Sequence, residues 1–564
     1  MPFTRAACQV PCSNGRRPSR RCSTTCSTFA KVRNRSSFFR KARPFVPSQR
    51  SLGVTSCDPP VTRILRSTAV DRPTQVALSD LKGSLGWAEL ADLCERSVRA
   101  IDSLELSSSS RIAVVMRNSV DAALVFLMAR YSGVELTALS YHLTPIELEY
   151  VFTDARVGAV FCDPTTVESV VVAATKVGIT SVFLGDVATD TETLPQGVRS
   201  FRPWLNQFPS GPIDLMRRAA ANLLYTSGTT GFPKGVLTPQ NLSGSVDEYI
   251  AAYPEPRDAG PFLTVGPLYH AGPLGSLRRL TAGRPLIVMR HFDPVEALRA
   301  IEEHGVTGAT FVPTHFLRLL QLDETERMKF DVSSLQFVDH TGSWCPPEVK
   351  RRMIEWFGPV LEERYGGTES GTICTIDSLE WLDHPGSVGR CSPRFTALVV
   401  DDDGNNLPRG STGRLFFDDA TGRGVVYQND PEKTAAAHLR PGVFTLGDIG
   451  HVDDDGYVFI TGRSADLIVS GGVNLYPAEI ERVLLQVPGV ADAAVVGAVD
   501  EEMGERAVAF IVPSVDDLSA AFVIDEAKKS LAGPKVPRDV RFIAELPRNP
   551  MGKIDRKQLK GRQR

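Results

Sequence analysis

From about residue 60 the chain alternates short β-branched runs with segments of helical period, and this alternation restricts the fold more than any other feature. "RIAVVMRN" (111–118) reads as a strand, and "SVDAALVFLMARYSGV" (119–134) follows at helical spacing. "VGAVFCD" (157–163) and "TSVFLGD" (180–186) are again short apolar runs with polar ends. "FDPVEALRAIEEHGV" (292–306) reads as amphipathic helix and "TGATFVPT" (307–314) as strand then turn. Strands separated by helices predict parallel sheets covered by helices. After Gly462 the pattern restarts on a smaller scale, with helix at 478–490, strands at 491–500 and 505–514, and helix at 522–533. The expected fold class is α/β: a large N-terminal domain of helix-covered β-sheets at 58–463, then a small α+β C-terminal domain at 464–564. The joint is placed at Arg463–Asp466.

Charge separates a third region. Residues 1–57 hold ten Arg and two Lys and no Asp or Glu, so in the remainder 51 basic residues face 66 acidic ones. An acidic body argues against nucleic acid as a partner, because phosphate binding needs a basic surface. The head has no 7–15-residue apolar run and so is not a secretory signal; its Arg and Ser content fits an organelle transit peptide, a disordered tail or a misassigned start. The location expected is soluble and intracellular: mitochondrial if the head is a transit peptide, cytoplasmic otherwise. No run approaches 18 apolar residues, which predicts no transmembrane segment. Five of the ten cysteines lie in the head and five (Cys94, Cys162, Cys345, Cys374, Cys391) are scattered through the body, a pattern of reduced thiols. Oligomeric state stays open, a homodimer included.

The most informative stretch is "NLLYTSGTTGFPKGVLTPQNL" (222–242). An apolar run feeds a loop of Thr, Ser and Gly that ends in Lys234. Glycines let successive backbone N–H groups turn toward one anion. The hydroxyls of Thr226, Ser227, Thr229 and Thr230 add donors around Gly228, and Lys234 adds a mobile positive charge. This is triphosphate chemistry. It is not the Walker arrangement, since G-x-x-x-x-G-K-[ST] does not occur.

"YTSGTTGFPKGV" closely resembles the phosphate loop of the adenylate-forming superfamily, which includes acyl-CoA synthetases, 4-coumarate–CoA ligases and luciferases. Further segments similar to that family's follow in order. "ERYGGTESG" (363–371) implies nucleotide contact by Tyr365, Gly366 and Thr368, and Mg2+ held by Glu369 together with Thr226. "FTLGDIGHVDDDGYVFITGRSADLI" (444–468) implies ribose binding by Asp448 and phosphate contact by Arg463. "LPRNPMGKIDRKQL" (546–559) implies that Lys553 reaches the reacting carboxylate and α-phosphate. "PLYHAGPL" (267–274) places His270 near the acid's carboxylate, "FVPTHFLRLL" (311–320) resembles a wall of the acyl pocket, and "SGGVNLYPAEIE" (470–481) puts Gly471 and Gly472 beside the thiol path.

The resemblance implies an AMP-forming acid–thiol ligase. ATP, Mg2+ and coenzyme A are its cofactors, and a small-molecule carboxylic acid and CoA are its partners. The acid would become acyl-AMP and then acyl-CoA as the mobile small domain rotates. Loading of a carrier protein is the alternative; with 11 residues after Lys553, no fused carrier domain is expected. The apolar look of "VGPLYHAGPL" and "FVPTHFLRLL" favours a fatty acid first and an aryl acid second. An amino-acid substrate would want a buried Asp for its ammonium, and Asp339 is the nearby candidate. Three departures stand out: Ala465 occupies the hinge position where many relatives carry Asp or Lys, Trp344 adds bulk near the adenine site and pocket mouth, and Arg414 stands where Glu is usual.

Overall fold

The computed structural model describes residues 62–186, 194–226, 234–238, 244–251, 255, 259–470, 473–500, 503–549 and 552–562. The basic head lies outside the described residues, as do Ser227, Gly228, Thr229, Thr230, Gly471 and Gly472.

Two helix-flanked sheets build the larger part. One is wholly parallel: strands Leu136–Ala138, Arg111–Val115, Val157–Cys162, Ser181–Leu184 and Val198–Ser200 lie side by side in that order. The helix predicted at 119–134 forms over Val120–Ser132. The Ser119 hydroxyl accepts from the Ala122 N–H at its start, and Gly133 turns left-handed at its end. All its residues are buried, so it has no polar face and serves as filling between layers.

The second sheet carries the cleft. Its centre is parallel, from Val76–Ser79 through Leu286–Val288, Phe262–Thr264, Gly308–Phe311 and Phe337–Thr341 to Leu361–Gly367. Antiparallel strands extend it through Gly371–Asp377 and Ser387–Cys391 to Val458–Arg463 and Asp448–Val452. Alternate residues leave opposite faces of a strand. Leu263, Ala309, Phe311 and Val338 enter one apolar cluster with Phe316 and Leu319. Phe262, Leu286 and Val288 enter another with Leu274, Leu277 and Leu280, beneath the short helices Ala271–Ser276 and Arg278–Thr281. The two faces of one sheet thus support different layers.

After Val458–Arg463 a single 3-10 turn, Ser464–Asp466, leads into a separate five-stranded sheet. Strands Ile468–Ser470, Val473–Leu475, Val490–Asp500, Gly504–Pro513 and Asp539–Phe542 form it, with helices Pro477–Leu484 and Ala520–Lys528 packed on an apolar core around Ile480, Leu484, Val495 and Val523. The second of these helices is shorter than the 522–533 expected, and it begins earlier because Ser519 caps it through the Phe522 N–H. Among the described residues no helix is long and apolar enough to cross a membrane.

The larger part encloses an ion pair. Lys350 Nζ lies 2.7 Å from Glu363 Oε2, with the lysine fully buried and its ammonium 4.9 Å from the Trp381 ring centre. Neither charge can be rehydrated if its partner is lost. Lys350→Ala is therefore expected to cost about 3–5 kcal/mol in urea unfolding, and replacing the pair together by Met and Gln should cost much less.

Candidate active site

Three strands bring the first group together. Asp448 opens one strand and stands in register with Arg463 at the end of its neighbour. The buried Asp448 carboxylate accepts from the Tyr365 hydroxyl at 2.6 Å through Oδ2 and from Arg463 Nε at 3.0 Å through Oδ1. Each oxygen keeps a lone pair for a ligand hydroxyl. Asp448 holds the Arg463 guanidinium above its ordinary pKa, and the exposed part of that side chain faces solvent. Burial, reinforced by Asp448, pushes the Tyr365 phenol well up, so it stays a donor.

Gly366 lets this happen. A Cβ there would lie 2.0 Å from the Gly371 carbonyl oxygen, so any side chain would force the strands apart. The turn that follows holds Thr368 and Glu369. The Tyr427 hydroxyl is 3.4 Å from Glu369 Oε1, and Lys433 Nζ sits 3.7 Å over the Tyr427 ring. Lys234, at the end of the phosphate-loop segment, places its Nζ 3.8 Å from Asp430. Burial and the nearby Lys234 lower the Lys433 ammonium. Two lysines therefore stand at the loop's end of the cleft, and a polyanion would relieve their repulsion. Among the described residues no cluster of three His, Cys, Asp or Glu forms a protein-only metal site. Glu369 supplies one carboxylate, which suits a magnesium ion that takes its remaining ligands from phosphate and water.

The small sheet's C-terminal loop enters the same cleft. The Gly552 carbonyl accepts from the Thr314 hydroxyl at 2.9 Å and from Arg548 at 2.6 Å. Gly552 has φ +71°, and a Cβ on it would come within 2.5 Å of Thr314 Oγ1, so both conformation and space require glycine. The next residue is Lys553. It keeps solvent along part of its length, yet burial and Arg463 lower its ammonium while Glu369 and Asp448 act the other way. His270 senses the same charge: burial, then Lys553, bring its pKa down to about 3. Its Nε2 is buried with no hydrogen-bond partner among the described residues. The Arg482 guanidinium of the small part stands 5.8 Å from the Trp344 ring centre.

The structure therefore gathers Tyr365, Glu369, Asp448, Arg463, His270 and Lys553 around one cleft, with Gly366 and Thr368 in the adjoining strand and turn. Thr226 is the last residue of strand Leu223–Thr226 and pairs with Lys234. Sequence reasoning missed Tyr427, Lys433, Thr314 and Arg548. The first two stand in "VVYQNDPEKT" (425–434), an ordinary polar stretch in one dimension. In the "FVPTHFLRLL" segment Phe311, Phe316 and Leu319 pack into an apolar core, and the Thr314 hydroxyl donates to the Gly552 carbonyl.

Comparison with known proteins fixes the family. Residues 65–423 match the AMP-binding enzyme model and residues 479–553 the AMP-binding enzyme C-terminal domain. The chain belongs to the AMP-binding enzyme family, within the adenylate-forming ligases. It is 33% identical over 497 residues to an indoleacetate–CoA ligase of Aromatoleum aromaticum, covering 86% of this chain and 94% of the relative. It is 32% identical over 521 residues to the fatty acid–[acyl-carrier-protein] ligase ScoC of Streptomyces coeruleorubidus, covering 88% and 94%. Among solved structures it resembles ATP-bound MatB from Rhodopseudomonas palustris, with a TM-score of 0.73, 28% identity, and coverage of 89% of this chain and 99% of that one.

Two outcomes are expected. Asp448→Ala should weaken ATP binding roughly ten- to a hundredfold by calorimetry, as a buried acceptor facing polar ligand groups is lost. His270, with its pKa depressed to about 3, is neutral throughout pH 5–8. Lowering the pH across that window protonates an ordinary histidine but not this one. Pyrophosphate exchange should therefore show the same pH inflections in the native enzyme and in His270→Gln.

Proposed function

We propose that the protein is an ATP-dependent acid–CoA ligase acting on an acid with a largely apolar body. The observation that carries this reading is Lys553, delivered by the small lobe into the cleft where Asp448, Glu369 and His270 converge. In the first half-reaction the acid's carboxylate attacks the α-phosphorus of ATP, the bond from that phosphorus to the β-phosphate oxygen breaks, and acyl-AMP forms as pyrophosphate leaves. Asp448 binds the ribose, with Tyr365 and Arg463 holding its carboxylate in place. Tyr365, Gly366 and Thr368 flank the nucleotide. The hydroxyl loop Thr226–Thr230 and Lys234 hold the outgoing phosphates, and Lys433 adds a second charge there. Glu369 and Thr226 would hold a magnesium ion, which would neutralise phosphate charge. Lys553 offsets the charge that develops between carboxylate and phosphorus, and neutral His270 offers Nε2 to the carboxylate without adding a second cation.

In the second half the thiol of CoA attacks the acyl carbon and AMP leaves. Lys553 must then vacate the cleft for the thiol path beside Gly471 and Gly472. The chain supports a swing about Ala465. The Ser464 N–H donates to the Gly447 carbonyl of the large part at 2.9 Å. Asp466 pairs with Arg556 of the small part at 3.3 Å. Ala465 lies between these anchors, is exposed, and has only a methyl group that can make no hydrogen bond. A hinge needs only backbone torsions free to change.

Similarity to ScoC favours a carrier protein as a second acceptor, and comparing CoA with a holo-carrier on supplied acyl-AMP separates the two. The ligase reading itself is tested by Lys553→Ala. Adenylation should fall at least about a hundredfold, as expected for loss of a charge aimed at the transition state, while thioester formation from supplied acyl-AMP stays within a few-fold. Equal losses in both halves, or no pyrophosphate exchange with any acid, would sink it.

A further inference from the structure

A row of three side chains crosses the antiparallel end of the large sheet. Tyr365 of strand Leu361–Gly367 stands in register with Cys374 of Gly371–Asp377, and Cys374 with Cys391 of Ser387–Cys391. Residues directly opposite on paired strands share a face, so the two thiols and the Tyr365 ring point the same way. All three pack on one apolar cluster with Phe417, whose ring centre lies 5.8 Å from that of Tyr365. At the far end of the Tyr365 ring, its hydroxyl donates to Asp448 at 2.6 Å.

The thiols are placed to react with each other. Their sulfurs are 3.4 Å apart and hydrogen-bonded. One residue along on each strand, the Ser392 N–H donates to the Ile373 carbonyl at 2.8 Å. The cysteines therefore occupy a non-hydrogen-bonded pair, where the Cα atoms of antiparallel strands come to about 4.5 Å. A disulfide spans Cα separations of about 4.4–6.8 Å, so this register accepts one with small movements.

The two cysteines differ in access and charge. Cys374 is buried, while Cys391 is half-buried, ends its strand and leads into a turn with exposed Pro393. The bond to Cys391, then burial, push the Cys374 thiol up, so it keeps its proton. That same bond holds the Cys391 thiol below its ordinary range, helped against burial by the Ala397 N–H. The reachable sulfur is thus the one with thiolate character, which is the reactive form. Cys94, Cys162 and Cys345 are buried, and burial pushes each thiol up, so none of these three matches the arrangement.

We propose that Cys374 and Cys391 are a redox-modification site: a peroxide joins them as a disulfide, and the disulfide weakens nucleotide binding. The Cys391 thiolate attacks one oxygen of hydrogen peroxide. The O–O bond breaks, hydroxide leaves and takes up the proton that Cys391 gave to solvent, and Cys391 becomes a sulfenic acid. The Cys374 sulfur then attacks Cys391 Sγ, the S–O bond breaks, and the hydroxyl departs with the Cys374 proton as a second water. Both thiols are oxidised and the peroxide is reduced to water. Disulfide formation draws the sulfurs from 3.4 Å to about 2.0 Å. Cys374 moves toward Cys391 and away from Tyr365, and a close-packed core transmits the shift. The Tyr365 hydroxyl then loses its fit to Asp448. The effect on ATP rests on the ligase reading above; the disulfide itself does not.

The test oxidises the full-length protein with hydrogen peroxide, blocks the remaining thiols and maps linked peptides by mass spectrometry. A Cys374–Cys391 peptide should appear, and it should vanish with dithiothreitol. By calorimetry the dissociation constant for ATP should rise roughly tenfold on oxidation, the worth of one hydrogen bond to a carboxylate, and recover on reduction. Cys391→Ala should bind ATP as the reduced native protein does, before and after peroxide. Cys374→Ala should stop at the sulfenic acid on Cys391, which dimedone traps. No linked peptide from the native protein would overturn the site, whatever the variants do. An ATP affinity unchanged by the linkage, or an equal peroxide-induced loss in Cys391→Ala, would overturn its effect on the nucleotide. Pyrophosphate exchange missing from the reduced protein with every acid would remove the ligase reading and leave the disulfide standing.

Discussion

The cleft depends on one contact between the two parts of the chain, the Gly552 carbonyl seated on the Thr314 hydroxyl. Arg548 closes it from the small lobe, and Arg548 is itself fixed by Asp492 at 2.7 Å. A single peptide group is thereby held at a defined height above the large sheet, and Lys553 is the next residue. The contact is small and polar, as suits a docking that must be made and undone. A hydrophobic seam would bind the lobes too firmly for the rotation proposed at Ala465.

Electrostatics then decides what the cleft tolerates. Arg463, Lys553, Lys234 and Lys433 bring positive charge close together, and burial lowers the ammonium groups of Lys553 and Lys433. Glu369 and Asp448 offset part of this. An incoming polyphosphate supplies the rest, so the arrangement is held ready for an anion and does not relax around one. His270 escapes protonation for the same reason: a third cation beside Lys553 in a desolvated spot is unfavourable, and its Nε2 stays neutral.

Much of the architecture was legible in sequence because it rests on local rules. Helix Val120–Ser132 ends where Ser119 and Gly133 dictate, and the strands at 111–115, 157–162 and 490–500 lie where β-branched runs predicted them. The site residues were legible only as members of motifs: nothing in "FTLGD" by itself says that Asp448 is buried against Tyr365. What stayed hidden was pairing across long separations. Thr314 meets Gly552, Tyr427 meets Glu369, and Asp339 meets Arg364, and no motif spells out any of these pairings.

The sequence by itself determined the α/β alternation, the hydroxyl-rich turn and the order of the motifs, since these follow from periodicity and from residue types that only certain chemistry uses. Tertiary structure decided which face of each strand looks into the cleft. A shift of one residue along a strand turns every side chain to the opposite face, so a stretch such as "TGATFVPT" can bury its phenylalanine in one core while its last threonine meets the Gly552 carbonyl. Composition averages over both faces of a strand, and only the packed sheet tells them apart.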